Sequence, residues 1–221
     1  MNKKIQASES LLLAVFLTLS GGFMDAYSYI CRGEVFANAQ TGNILLFGVN
    51  LSTGNFYAAL RYLCPVIAFT AGIAAADFIR YKFKDSSRLH WRQIIVAAEA
   101  IILFVVGFFP NKLDLIANSL TSLACGAQVE SFRKINGYGA ATTMCIGNLR
   151  TATQAICEHF ITRDEDSLRK SVMFFGVIGI FVIGAVLGNF AVGILGQKAI
   201  MLCGVFMFIA FIIMKRETAE R

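Results

Sequence analysis

Phe36-Ala37-Asn38-Ala39-Gln40-Thr41-Gly42-Asn43 is the stretch on which the reading of this chain turns. It belongs to a segment, roughly 35–52, that is apolar on average yet carries Asn38, Gln40, Thr41, Gly42, Asn43 and Asn50. A second segment of the same kind, roughly 139–157, carries Thr142, Thr143, Gly147, Asn148 and Arg150. Neither makes a good lipid-facing helix. Polar groups of this kind persist at membrane depth only when they are buried in protein or face a watery cavity.

The rest of the chain supplies the membrane context. Of its 221 residues 57% are hydrophobic and 15% are charged, whereas a soluble domain usually carries charge near a quarter of its residues. A soluble core does not account for the deficit, because a chain of this length keeps much of its surface exposed. Long apolar runs lie at roughly 10–31, 56–79, 93–109, 113–132, 171–193 and 197–214, and a spanning helix needs about 20 such residues. Lys3 and Lys4 before the first run resemble the start of a signal peptide, but the run continues through Ile30 and reads as a retained helix.

Charge favours one count of the two polar segments over the alternative, in which both cross fully and the cluster from Arg80 to Arg92 falls opposite Lys3 and Lys4. If each dips in and returns to its own side, six spans remain and both termini are cytoplasmic. The inner segments then hold Lys3, Lys4, Arg80, Lys82, Lys84, Arg88, Arg92, Arg133, Lys134, Arg163, Arg169, Lys170, Lys215, Arg216 and Arg221. The outer loops hold only Arg32, Lys112 and Lys198, with Arg61 and Arg150 inside segments. That is the positive-inside distribution. The expected fold is an all-α integral membrane protein of the inner membrane. It has six transmembrane helices plus two re-entrant half-helix segments, in a single domain over 1–221. The net charge of +6 is clustered between apolar runs, so it points to an anionic membrane surface and not to nucleic acid.

The two polar segments correspond. Placing Asn43 on Asn148 sets an offset of 105 residues, which also pairs Gly21 with Gly126, Asp25 with Glu130, Tyr27 with Phe132 and Ile30 with Ile135. With three spans and one re-entrant piece each, halves of about 1–109 and 110–221 would be inverted. An inverted 3+3 repeat with interrupted helices recurs among transporters and channels. The plain alternative is chance likeness between glycine-containing apolar segments.

The candidate pathway residues follow from this arrangement. A short helix beginning near Thr41 would aim its free N–H groups at the membrane centre, with Asn38, Gln40, Thr41, Gly42 and Asn43 around it. Thr142, Thr143, Gly147 and Asn148 would do the same from the other half; the competing role for all of them is to knit helices together. Asp25 lies well inside the first span and Glu99 roughly 10 Å into its own, at about 1.5 Å per residue. Carboxyls at such depth are expensive unless paired or wetted. Glu130 lies beside Arg133 and Lys134 and reads more readily as an interfacial ion pair, while Arg150 is the one basic residue of a re-entrant segment.

Other chemistry is not signalled. His90 and His159 are too isolated for a zinc site or a catalytic pair. No nucleophile constellation, P-loop or dinucleotide fingerprint is present, and no enzyme activity, cofactor or metal is expected. Cys31, Cys64, Cys125, Cys145, Cys157 and Cys203 are scattered, with no C-x-x-C pair, and read as packing residues. Gly184 and Gly188, with Gly176 two four-residue steps before Gly184, mark a close helix approach within one subunit or between copies in a homo-oligomer.

Gly22-Phe23-Met24-Asp25-Ala26, followed by the segment from Phe36 to Asn43, resembles the signature of the YoaK-like bacterial membrane proteins, a family of unknown function. That family's second half carries a Gly-x-Gln-Asn-Ala stretch, a basic pair and a Thr-Thr-x-x-Thr-Gly-Thr-Leu motif. The counterparts are Gly126-Ala127-Gln128-Val129-Glu130, Arg133-Lys134 and Thr142-Thr143-Met144-Cys145-Ile146-Gly147-Asn148-Leu149. Val129, Glu130, Ile146 and Asn148 depart from the pattern. The resemblance spans essentially the whole chain and implies a multi-pass membrane protein without naming a substrate.

The expected function is passage of a small solute or ion through a polar midplane site, with the lipid bilayer as the other partner. Two rivals are a membrane scaffold without flux and an embedded enzyme acting on a lipid or quinone.

Overall fold

A computed structural model describes residues 9–84 and 90–219, the side chains only to Lys215. Lys3, Lys4, Arg88 and Arg221, and the side chain of Arg216, lie outside the described residues. The described residues form eight α-helices: α1 (Leu11–Cys31), α2 (Gln40–Ser52), α3 (Phe56–Phe83), α4 (Trp91–Val106), α5 (Asp114–Ser131), α6 (Cys145–Thr162), α7 (Glu165–Leu195) and α8 (Met201–Ala219). An antiparallel pair of two-residue strands, β1 (Lys134–Ile135) and β2 (Tyr138–Gly139), interrupts the connection from α5 to α6.

Local chemistry sets the helix ends. Ser10 caps α1, Asn55 caps α3, and His90 with Gln93 forms a reciprocal capping box on α4. Asp164 caps α7 through Ser167, with Glu165 and Asp166 in the first turn where the helix dipole favours them. Gly196, at φ +55°, reverses the chain between α7 and α8. Gln197 then meets α1, its carbonyl accepting from the Tyr27 hydroxyl at 3.1 Å.

By length and composition three helical stretches can cross a membrane: Leu11–Cys31, Phe56–Phe83 and Glu165–Lys215, the last 51 residues long and turning at Gly196. The other two expected spans differ for identifiable reasons. α4 has only 16 residues. α5 carries Asn118, Thr121, Ser122 and Gln128, all buried, because this face packs against α1, α3 and α4.

Contacts fix the helix directions. α1 and α5 are antiparallel, with Arg32 against Asp114 and Asn118 at one end and Leu17 against Gln128 further along. α7 runs parallel to α1, since Gly184 lies on Leu19 and Gly188 on Phe23. α3 runs parallel to α5, from Phe69 beside Gly126 to Arg80 beside Glu130. The beginnings of α1, α4 and α7 and the ends of α3, α5, α6 and α8 therefore share one end of the bundle. This end holds Arg80, Lys82, Lys84, Arg92, Arg133, Lys134, Arg163, Arg169, Lys170 and Lys215, whereas Arg32, Arg61, Lys112 and Lys198 sit at the other.

The tightest packing is made by two glycine crossings of the same form. A Cβ added to Gly22 of α1 would overlap the Phe181 carbonyl of α7, and one on Gly184 would overlap that of Leu19. Likewise a Cβ on Gly72 of α3 would overlap Leu123, and one on Gly126 of α5 would overlap Phe69. In each crossing the obstructing carbonyl belongs to the residue three before the partner's glycine. Such contact lets backbones approach closely enough for dispersion to hold helices together where lipid gives no hydrophobic drive. Gly176, by contrast, faces open space.

Candidate functional site

Residues 32–39 do not continue α1 outward; they fold back along it. The Asn38 N–H donates to Asp25 Oδ1 at 2.7 Å, and its Nδ2 donates to the Gly21 carbonyl at 3.1 Å. α2 therefore begins beside the middle of α1 and runs back to the end it came from. Its 13 residues cover about 20 Å at 1.5 Å per residue, less than the roughly 30 Å of a hydrocarbon core.

The second half repeats the device. Residues 132–144 return along the bundle, so that Thr143 packs on Gly21, where α6 begins. Both turns are held by an asparagine clamp of one geometry. Asn43 Oδ1 accepts from the Phe36 N–H at 3.0 Å and its Nδ2 donates to the Phe36 carbonyl at 2.7 Å. Asn148 does the same to Ala141, at 3.3 Å and 2.6 Å.

The starts of α2 and α6 line one cavity of about 590 Å³. Asp25, Asn38, Gln40, Thr41, Thr143 and Gly147 contribute to it, with Ala26, Tyr29, Phe36, Met144, Ile146 and Phe181 as an apolar and aromatic wall. The Asp25 carboxylate lies against the turn that leads into α2, accepting from the Asn38 N–H with those of Ala39 and Ala37 also near it. α2 itself starts after Ala39 with no side-chain cap among the described residues. α6 starts after Met144 with no side chain capping it. Two groups at the site are buried without hydrogen-bond partners among the described residues: Asn38 Oδ1 and the Thr143 hydroxyl, in residues each 2% exposed.

Several expected pathway residues lie elsewhere. Asn43 and Asn148 are the clamps, and the added Cβ of Gly42 would strike the Phe36 ring, so these three shape the turns instead of facing the cavity. Thr142 is buried and accepts from Gln128 Nε2 at 3.4 Å. Glu130 pairs with Arg133 and, at 3.6 Å, with Arg80 at the basic end. Arg150 is exposed on α6 and does not line the cavity, because its position on the helix turns it outward. Glu99 is 2% exposed in α4, and neither of its oxygens has a hydrogen-bond partner among the described residues. It shares the core with Cys125 and Cys203 and does not reach the cavity wall.

Sequence reasoning missed Gln128, fully buried and donating to the Leu17 carbonyl at 3.1 Å. It also placed Arg32 in an outer loop. Arg32 is fully buried: its Nε donates to the Tyr27 hydroxyl at 2.7 Å, its Nη1 pairs with Asp114 at 2.8 Å, and its Nη2 donates to the Val106 and Phe109 carbonyls. This network ties α1, α4 and α5 together at the far end.

The profile of the family described as "Protein of unknown function (DUF1275)" matches residues 13–213. The chain belongs to that family. A similar relative is the UPF0700 transmembrane protein YoaK of Bacillus subtilis (strain 168), 26% identical over 187 residues, which cover 79% of this chain and 80% of that one. No solved structure matches. The match of this DUF1275 chain to a transmembrane protein agrees with its apolar helices: it is an all-α membrane protein.

Proposed function

We propose that this protein passes a small solute across the inner membrane through the cavity between the starts of α2 and α6. The observation that carries the reading is the convergence of two re-entrant helix starts on one cavity beside the Asp25 carboxylate. A surface-bound or purely scaffolding protein has no need of such a cavity at the depth where backbone must otherwise be satisfied internally.

In this reading the bundle has six spans, with α2 and α6 re-entrant and the basic end cytoplasmic. The halves are inverted copies. Support comes from the matching asparagine clamps and from the pairing of first helix with third at both glycine crossings, α1 with α7 and α5 with α3. Alternation between two arrangements of such halves about a fixed site is how inverted repeats move solutes.

The test is uptake of radiolabelled n-butanesulfonate, choline and glycerol into liposomes holding the purified protein. At least one should enter faster than into protein-free liposomes. A Cβ at Gly147 meets nothing within 4 Å, so Gly147→Trp fills the cavity without disturbing packing and should abolish that uptake. Equal uptake with and without protein for all three would count against passage.

A further inference from the structure

The two helix starts at the cavity are not equivalent, and the difference indicates what belongs between them. The turn that leads into α2 already holds an anion, the Asp25 carboxylate, on the N–H groups of Asn38 and its neighbours. At α6 the residue at the same spacing in the chain, Glu130, is committed to Arg133 and Arg80 at the basic end, and no side chain caps the helix. An 18-residue helix whose first N–H groups face a cavity uncapped is a ready seat for a negative group. Thr143, lining the same cavity, adds a buried hydroxyl without a partner among the described residues.

Resting on the passage reading above, we propose that the α6 N-terminus seats the charged group of the solute, and that the solute is a small organic monoanion of the carboxylate or sulfonate class, bound together with a proton on Asp25.

The walls select the rest of the molecule. Tyr29 and Phe36 are stacked with centroids 5.1 Å apart, and with Phe181 and Ile146 they form an apolar surface suited to a short hydrocarbon or aromatic body. A cavity of about 590 Å³ falls in the range that holds small metabolites. No basic side chain lines it among the described residues, so its donors are N–H groups, hydroxyls and amides, and they match one negative charge better than two. Asp25 sits across the same cavity, and like charges at short range disfavour each other. The proton taken up by the Asp25 carboxylate relieves that repulsion. The other titratable groups near Asp25 are Cys125 of α5, Cys145 of α6 and Tyr29 of α1.

The experiment is thermal unfolding of the full-length protein in detergent with n-butanesulfonate, n-butylammonium or butyramide at matched ionic strength. A ligand that binds only the folded state raises the melting temperature. n-Butanesulfonate keeps its charge at every pH used, so any pH effect belongs to the protein. It alone should stabilise, more at pH 5 than at pH 8, and Asp25→Asn should bind at pH 8 as the parent does at pH 5.

Cys145→Pro removes one N–H at the first helical position, where proline is tolerated, and the extended Met144 (φ −124°, ψ 118°) suits a following proline. It should weaken n-butanesulfonate roughly tenfold, as should Thr143→Val, in line with the loss of one hydrogen bond to a charged group. Stabilisation by n-butylammonium, equal stabilisation by all three compounds, or full binding in both variants overturns the proposal. Binding of n-butanesulfonate without uptake would remove the passage reading and leave this one standing. Uptake of choline or glycerol without n-butanesulfonate binding would do the reverse.

Discussion

Asn148 grips the main chain of Ala141 from both sides, accepting from its N–H and donating to its carbonyl across seven residues. The carboxamide replaces a rung of backbone hydrogen bonding at a point where the chain has no helix or sheet to provide one. Asn43 does the same for Phe36. Phe36 and Ala141 are half-buried, so truncation leaves a partly buried N–H and carbonyl without these bonds. Asn43→Ala and Asn148→Ala should each cost about 2–4 kcal/mol. Asn148→Asp, which keeps the acceptor and loses the donor, should cost less than Asn148→Ala. Melting temperature in detergent checks both; unchanged melting would remove the clamps from the account.

The glycine crossings predict a contrast between neighbours on one helix. Gly184→Val puts side-chain atoms into the Leu19 carbonyl, while Gly176→Val meets nothing. The first should prevent folding or cost more than about 3 kcal/mol, and the second should be within about 0.5 kcal/mol of the parent. Gly126→Val should behave as Gly184→Val does. Folded yield by size-exclusion chromatography is the readout.

Removing Asp114 leaves the buried Arg32 guanidinium with neutral partners only. Asp114 is itself partly exposed, at 27% of its side chain, so the loss falls short of that for a wholly buried pair. Asp114→Asn should lower stability by about 2–3 kcal/mol. Arg32→Lys should not rescue function of the fork, because one ammonium cannot reach Tyr27, Asp114 and two carbonyls together.

Single cysteines placed in a background free of the native ones report sidedness. Ser52, Asn111 and Gln197 should label from outside, and Asn136 from the cytoplasm. Labelling of Ser52 from inside would make α2 a full span and dissolve the inverted arrangement.

Outside the membrane, hydrogen bonds from the Ser167 hydroxyl and N–H hold the Asp164 carboxyl below the usual carboxylate range. Its capping contribution is therefore complete above the unfolded value of about 3.9 and is lost as pH falls through the lower folded value. The melting temperature of the parent should exceed that of Asp164→Asn at neutral pH, with the gap closing below about pH 4.

Much of the architecture was legible because hydropathy and motif spacing are local properties of the chain. The run ending near residue 31, the interrupted segment near Thr41 and the correspondence between Asn43 and Asn148 all point to helices that the structure contains. What was not legible depends on distant partners. Arg32 looks like a loop cation until Asp114 and the Phe109 carbonyl, 82 and 77 residues away, close around it. α5 reads as an apolar span, and nothing local says that its Asn118, Thr121, Ser122 and Gln128 are buried against protein. The asymmetry between α2 and α6 was hidden in part for the same reason. Asp25 and Glu130 occupy matching places in the chain; the ion pair of Glu130 with Arg133 was legible from their spacing, whereas only packing shows that Asp25 faces the cavity and that Arg80 joins Glu130.

Because α1 lies against α7 and α3 against α5, each half of the chain keeps its closest companion in the other. During synthesis the surface around Gly22 is made early and waits for Gly184, more than 160 residues behind it. Until then α1 must be shielded by lipid or by the insertion machinery. Biogenesis should therefore be late and all-or-none. A gene cut between residues 109 and 110 should yield two fragments that are degraded when expressed alone and recovered only when expressed together.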